Sequence, residues 1–362
     1  MKQPSDYEAS SRRILELQRA DGSIPWVDAG VFDPWNHTES AMALTVMNEI
    51  EGARAAFVHL AETQNEDGSW WCDYGNAAPL DDGEKMADAD RPRVRDTNYA
   101  AYPAVGLLHY LERTGDIAFA RALWPVVDKA MGFVLSQQTD EGDIRWAAEG
   151  EHSKIDDALV TGNASIAFSL AAAIRLAERL DRARPSWAPA REKLIEALRD
   201  KPHRYDRAWE PKDHYSMDWY YPVLGGALTG EAANARIDQR REEFVVDSLG
   251  VKCTAREPWV TVAEACELAM ALLKMGRADE AAEIHHWQHA HRDADGAYWM
   301  GYQYEEKVFW PADKPSWTAA AVILAADALY GWTDASALFT ETPQTAPMRR
   351  KRASVFVSPR SS

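Results

Sequence analysis

The chain of 362 residues is 46% hydrophobic and 27% charged, a composition that supports a sizeable core. Its formal net charge of -17 disfavours nucleic acid and polyanionic polysaccharides, both of which call for basic surfaces. Cys72, Cys253 and Cys266 show no CxxC spacing, which predicts neither a disulfide framework nor a zinc site, and no uniformly apolar run or apolar leader points to a membrane or to secretion, so a cytoplasmic protein is expected.

In chain order, helical periodicity opens over residues 6–19, where Ser5 and Glu8 have capping-box spacing. That segment ends in Gln18-Arg19-Ala20-Asp21-Gly22, and Trp26 follows. Segments 38–51 and 53–64 lead to Gln64-Asn65-Glu66-Asp67-Gly68 and Trp70, and segments 96–113 and 116–137 lead to Gln138-Thr139-Asp140-Glu141-Gly142 and Trp146. Segments 156–180, 186–199, 218–228, 230–244, 260–275 and 278–291 continue the pattern, and Arg292-Asp293-Ala294-Asp295-Gly296 before Trp299 repeats the stop loosely. The last helical segment is 316–330, and the Pro/Ser/Arg-rich stretch 341–362 reads as a disordered basic tail.

Glycine at each stop suits the left-handed position that ends a helix, a Gln side chain can reach the exposed backbone of the same turn, and the Trp can cover it. No stretch alternates with period two over several strands, so the fold class is all-α. One set of helix starts (His37, Asp96, Asp156, Met217, Val260, Ser316) leads into segments apolar on several faces, such as ALVTGNASIAFSLAAA from Ala158, as expected of a buried inner ring. Partner segments such as REKLIEALRD from Arg191 carry one apolar stripe and form an outer ring, so that residues 1–340 make about six helical hairpins.

The Gln-x-x-x-Gly stop followed by Trp, on a six-hairpin pattern, resembles the α/α-toroid superfamily, or (α/α)6 barrels, which includes terpene cyclases, protein prenyltransferases, sugar epimerases, polysaccharide lyases and many inverting glycosidases. Over about residues 5–335 the chain is similar to actinobacterial "prenyltransferase-like" proteins related to a mycobacterial endo-α-mannosidase of methylmannose polysaccharide. The resemblance implies a glycoside hydrolase that inverts at the anomeric carbon of an α-linked oligosaccharide or polysaccharide, with two carboxylates as general acid and base. No cofactor, metal, nucleic acid or membrane partner is expected, and the oligomeric state is not readable. The prenyltransferase label fails residue by residue, because no cysteine has an Asp two positions before it and Asp88-Ala89-Asp90 is followed by Arg91 where a cyclase has its final Asp. Two alternatives stay open: a sugar epimerase using His37, His152 or His214, and a sugar-binding toroid without catalysis.

In such toroids the loops that feed the inner helices build the rim of a funnel. Most of the 15 tryptophans fall in those loops or at the first inner turn, and their flat faces suit the C–H faces of sugar rings. Trp26, Trp70, Trp146 and Trp299 read as plugs of their turns, whereas Trp35, Trp219, Trp259 and Trp317 abut inner-helix starts and are expected in the cleft. The catalytic candidates are Asp218 and Glu264, with Asp96 and Glu39 as substitutes; an inverting pair stands roughly 6.5–9.5 Å apart. Each acid has a structural alternative: Asp96 as a helix cap, Glu39 as a dipole partner, and one of Glu264 and Glu267, which share a helix face three residues apart, as an exposed or paired acid. Substrate contacts are expected from Trp35, His37, Asn98, Tyr99, Tyr102, His214, Trp219, Tyr220, Arg256, Trp259 and Trp317.

Overall fold

The computed structural model describes residues 2–28, 30–74, 94–148 and 155–341. The Asp88–Asp90 stretch, His152 and the tail from residue 342 lie outside them. The inner helices are α2 (Pro34–Val46), α4 and α5 (Thr97–Ala101 and Pro103–Thr114), α7 (Val160–Arg179), α9 (Ser216–Leu224), α11 (Val262–Lys274) and α13 (Ser316–Tyr330). Each packs on the next, and α13 returns to α2, so the ring closes. The outer helices are α1 (Glu8–Leu17), α3 (Ile50–Thr63), α6 (Ile117–Ser136), α8 (Trp187–Asp200), α10 (Gly230–Phe244) and α12 (Ala278–Trp287). Five hairpins join an inner helix to the outer helix that follows it; the sixth pairs α13 with α1, from opposite ends of the chain. A final short helix, α14 (Ala337–Thr340), packs against α11 and α13.

The recurring stop motif stitches neighbouring hairpins together. Gln18 donates from Nε2 to the carbonyls of Gly22 (3.1 Å) and Gly52 (2.9 Å), Gln64 to those of Gly68 (3.0 Å) and Val126 (2.8 Å), and Gln138 to those of Gly142 (3.0 Å) and Ala190 (2.9 Å). One carbonyl belongs to the motif's own turn and the other to the next outer helix. The glycines have φ of 87°, 93° and 105°, and a Cβ on them would stand 2.4, 2.2 and 2.5 Å from the carbonyl oxygens of Ala55, Lys129 and Lys193. Glycine is therefore required twice over, by conformation and by the close approach of the next helix. In the looser fourth copy Arg292 replaces Gln, donating to Gly296 (2.7 Å) and to the Asp6 carbonyl at the head of α1 (3.1 Å).

Three features depart from the sequence reading. The segment expected as one helix over 96–113 breaks at Tyr102, because Pro103 has no N–H to continue the ladder. Two small antiparallel sheets exist where none was expected. Strand β1 (Arg95–Asp96) pairs with β2 (Ala147–Ala148), and β3 (Val245–Val246), β4 (Gly250–Lys252), β5 (Trp259–Thr261), β6 (Gly301–Gln303) and β7 (Val308–Phe309) form a second sheet in that order. All are two or three residues long and lie in the feeder segments. Finally, α7 is apolar and long enough to cross a membrane, yet most of that apolar window is buried within the ring.

Candidate active site

Because the inner helices start at one end of the ring, counting from each helix start gives depth. Their third residues are Asn36, Tyr99, Gly162, Asp218, Glu264 and Thr318; their sixth, counted through the break in the α4–α5 pair, are Glu39, Tyr102, Ser165, Tyr221, Glu267 and Ala321. The second layer lies about 4.5 Å deeper at 1.5 Å rise per residue. Third and sixth residues share a helix face, so one layer forms the rim and the other the floor.

The floor is an aromatic cage around two carboxyl groups. Trp35 crosses the axis, with its ring 5.6 Å from Tyr221 at 88°, 5.4 Å from Tyr102 and 6.0 Å from Tyr99. Beneath it, Glu39 Oε1 accepts from Trp35 Nε1 at 2.9 Å and from the Tyr102 hydroxyl at 3.0 Å. Glu267 accepts from the Tyr220 hydroxyl, and both glutamates are buried, each 8% exposed. Burial pushes Glu39 up to about 7. Burial, and then the Glu39 charge, lift Glu267 well above the usual carboxylate range, so the floor keeps at least one proton at neutral pH. The sequence leaves one of Glu264 and Glu267 as an exposed or paired acid; the sixth-residue register of Glu267 with Glu39 is the signal that places it on the floor.

At the rim, Asp218 is 4% exposed and reaches across to α7, where its Oδ1 accepts from the Thr161 hydroxyl (2.5 Å) and the Thr161 N–H (3.2 Å). Burial raises its pKa, and the two Thr161 bonds oppose the rise. Glu264, at the same level on the neighbouring α11, is only partly buried, and the Cys253 thiol faces it. Asp96 caps α4 by accepting from the Tyr99 N–H at 3.0 Å, and burial lifts it to about 7. Asp33 caps α2 in the same way and also holds Trp26 Nε1 at 2.6 Å. Asn98 is 5% exposed, with an amide oxygen that has no hydrogen-bond partner, and Trp317 stands edge-on to Trp26 at 5.6 Å.

Two expected substrate contacts, His37 and Trp219, are corrected. His37 is fully buried, with Nδ1 accepting from the Ile24 N–H (3.1 Å) and Nε2 donating to the Ala56 carbonyl of α3 (2.9 Å); burial lowers it to about 4. Trp219 is fully buried, donates to the Arg236 carbonyl of α10 (2.8 Å) and stacks on Phe244 at 5.1 Å. Both are fourth residues of their helices, about 160° around from the sixth, and face the outer layer instead of the axis. Tyr102 and Tyr220 are buried and touch the floor carboxyls, which makes them positioning residues. Arg256 is exposed and pairs with Glu210 at 3.6 Å, and His214 is tied through Nδ1 to the Pro211 carbonyl at 3.0 Å. With His37 locked in this way, the described residues offer no histidine pair across the axis for an epimerase.

No family model matches the chain. It is 42% identical over 336 residues, 93% of its length and 89% of the relative's, to the MMP endo-(1,4)-3-O-methyl-α-D-mannosidase of Mycolicibacterium hassiacum. Among solved structures it is similar to a wild-type glycosidase (TM-score 0.65, 15% identity, 91% of this chain and 97% of that one). It is also similar to the GH63 mannosylglycerate hydrolase of Thermus thermophilus in complex with Tris and D-glycerate (TM-score 0.66, 13% identity, 88% and 99%). These structural likenesses concern the helical toroid alone.

Proposed function

This chain belongs to the MMP endo-(1,4)-3-O-methyl-α-D-mannosidase family and is a glycoside hydrolase; from that premise we propose that Asp218 is its general acid and Glu264 its general base, acting with inversion on an α-1,4-linked, 3-O-methylated mannose chain. The observation that carries the assignment is the pairing of unlike environments at one depth. Both acids are third residues of adjacent inner helices, and packed helix axes stand roughly 8–10 Å apart. An inverting pair needs room for a water molecule between sugar and base, with its carboxyls roughly 6.5–9.5 Å apart.

Burial favours a proton on Asp218, the state required to protonate the leaving oxygen. Glu264 is partly open, where a water can reach it. Trp35 and Tyr99 offer flat apolar faces above the floor. The floor pair Glu39–Glu267 lies a turn deeper, under Trp35, and is read as the support of the cage. Three cysteines without a disulfide fit a reducing compartment.

The test is incubation with α-1,4-linked 3-O-methylmannose oligosaccharides, followed by anomeric NMR. First-formed products of inverted configuration are expected, and Asp218→Asn and Glu264→Gln should each lower kcat by more than about a hundredfold while substrate still binds. Retained configuration, or wild-type turnover by either variant, overturns the assignment.

A further inference from the structure

Val308 and Phe309 form β7, an edge strand of the larger sheet, and Trp310 follows it directly; the three consecutive apolar residues are 48%, 36% and 49% exposed. A run of this kind on a strand edge is a liability that proteins keep only for a use. The strand register sorts it onto two faces. Val260, Tyr302 and Phe309 are paired across β5, β6 and β7 and share one face; Trp259, Gln303 and Val308 share the other. The first face packs on His291 and Trp299, with Phe309 stacked on Trp299 at 5.6 Å and 18°. His291 ends the turn that follows outer helix α12, so this face looks toward the outer layer. The face bearing Trp259 and Val308 is the opposite one, and β5 and the segment after β7 lead directly into the starts of α11 and α13, which frame the mouth.

On that face Trp259 and Trp310 form a corner, with rings 5.3 Å apart at 74° and Trp259 Nε1 donating to the Trp310 carbonyl at 2.6 Å. Gly301 lies beneath Trp259, and a Cβ there would fall 2.6 Å from its Nε1, so the missing side chain is what lets the indole lie against the sheet. Val308 extends the corner as a third apolar surface. Resting on the function proposed above, we propose that this corner is a distal subsite that holds an O-methylated sugar of the same chain, beyond the units at the scissile bond. The chemistry is matched: each 3-O-methyl group removes a hydroxyl donor and adds an apolar cap, and two indole faces with a valine offer apolar contact without a charge. A second copy of this protein is the competing occupant, but the charged turn Glu305-Glu306-Lys307 beside β7 opposes edge-to-edge pairing.

The test compares the parent with Trp310→Ala, Trp310→Phe and Val308→Ser on a length series of 3-O-methylmannose oligosaccharides and the matching unmethylated series. The parent KM should fall with chain length on methylated substrates. In Trp310→Ala the KM for the long methylated members should rise about tenfold, flattening that dependence with kcat held, and Trp310→Phe should restore most of it. The proposal is overturned if KM rises equally for short and long members, if methylation makes no difference, or if Trp310→Ala changes the sedimentation mass, which would mark a contact between copies. A parent that cleaves no member of either series overturns the catalytic assignment, and this proposal with it.

Discussion

Replacing Glu39 by Gln should stabilise the protein, and only above a definite pH. The carboxyl has an ordinary value of 4.5 and is held at about 7 by burial, against the opposing pull of its Trp35 and Tyr102 hydrogen bonds and with the Asp33 charge adding to the rise. A carboxyl whose folded value is raised binds its proton more tightly in the folded state. Stability therefore falls as pH rises through the window from 4.5 to about 7, and above it the ionised group costs the fold about 3 kcal/mol. The amide cannot ionise and so escapes this cost. It also keeps the local bonds, because Trp35 Nε1 and the Tyr102 hydroxyl both donate to the single oxygen Oε1, which the Gln carbonyl can replace. Thermal unfolding of parent and Glu39→Gln should differ by roughly 3–6 °C in Tm at about pH 8 and by less than about 1 °C at about pH 4.5. An equal difference at both values, or a loss of stability at the higher one, would refute the reasoning.

Three further outcomes are expected. Thr161→Val removes the hydroxyl that favours ionised Asp218, so the alkaline limb of kcat/KM should move to higher pH, as read from rate profiles on one substrate. His37→Ala leaves the Ile24 N–H and the Ala56 carbonyl unpaired and should cost about 3 kcal/mol by urea denaturation, with activity per folded molecule changed by less than about threefold. Gln64→Ala loses the bonds to Gly68 and Val126 and should lower stability by about 1–2 kcal/mol, seen as a shift of the urea midpoint without a change in slope.

The ring was legible because its signals are local. Gln18, Gln64 and Gln138 mark helix ends by a Gln-x-x-x-Gly pattern only five residues long, and the apolar all-round segments separate inner from outer helices. The larger sheet escaped because its strands are too short to show alternation; its pairing depends on residues as distant as Val260 and Tyr302. The placement of the candidate site was half legible. Asp218, Glu264, Glu39, Trp35 and Asn98 stand around the mouth or its floor, since a helix start places them at the correct end. Nearness to a start does not say which way a side chain points, which is why His37 and Trp219 pass for cleft residues in the sequence alone. A rotation of 100° per residue, counted from the observed starts, separates them from Glu39 and Glu267.

The hairpin formed by α13 and α1 turns the two ends of the chain into a seam. Arg292 holds the head of α1, and Trp332 Nε1 donates to the Lys2 carbonyl at 3.0 Å, a contact spanning 330 positions. A nascent chain must carry α1 without its main partner until α13 has emerged, and closing so long a loop costs about 5 kcal/mol of chain entropy. The last joint made is thus also the one that brings the Trp26 segment against the start of α13, where the Ser316 N–H donates to the Trp26 carbonyl at 2.9 Å. A fragment lacking either end would keep every acid named above between residues 33 and 267 and still have a breach in the wall of its cleft.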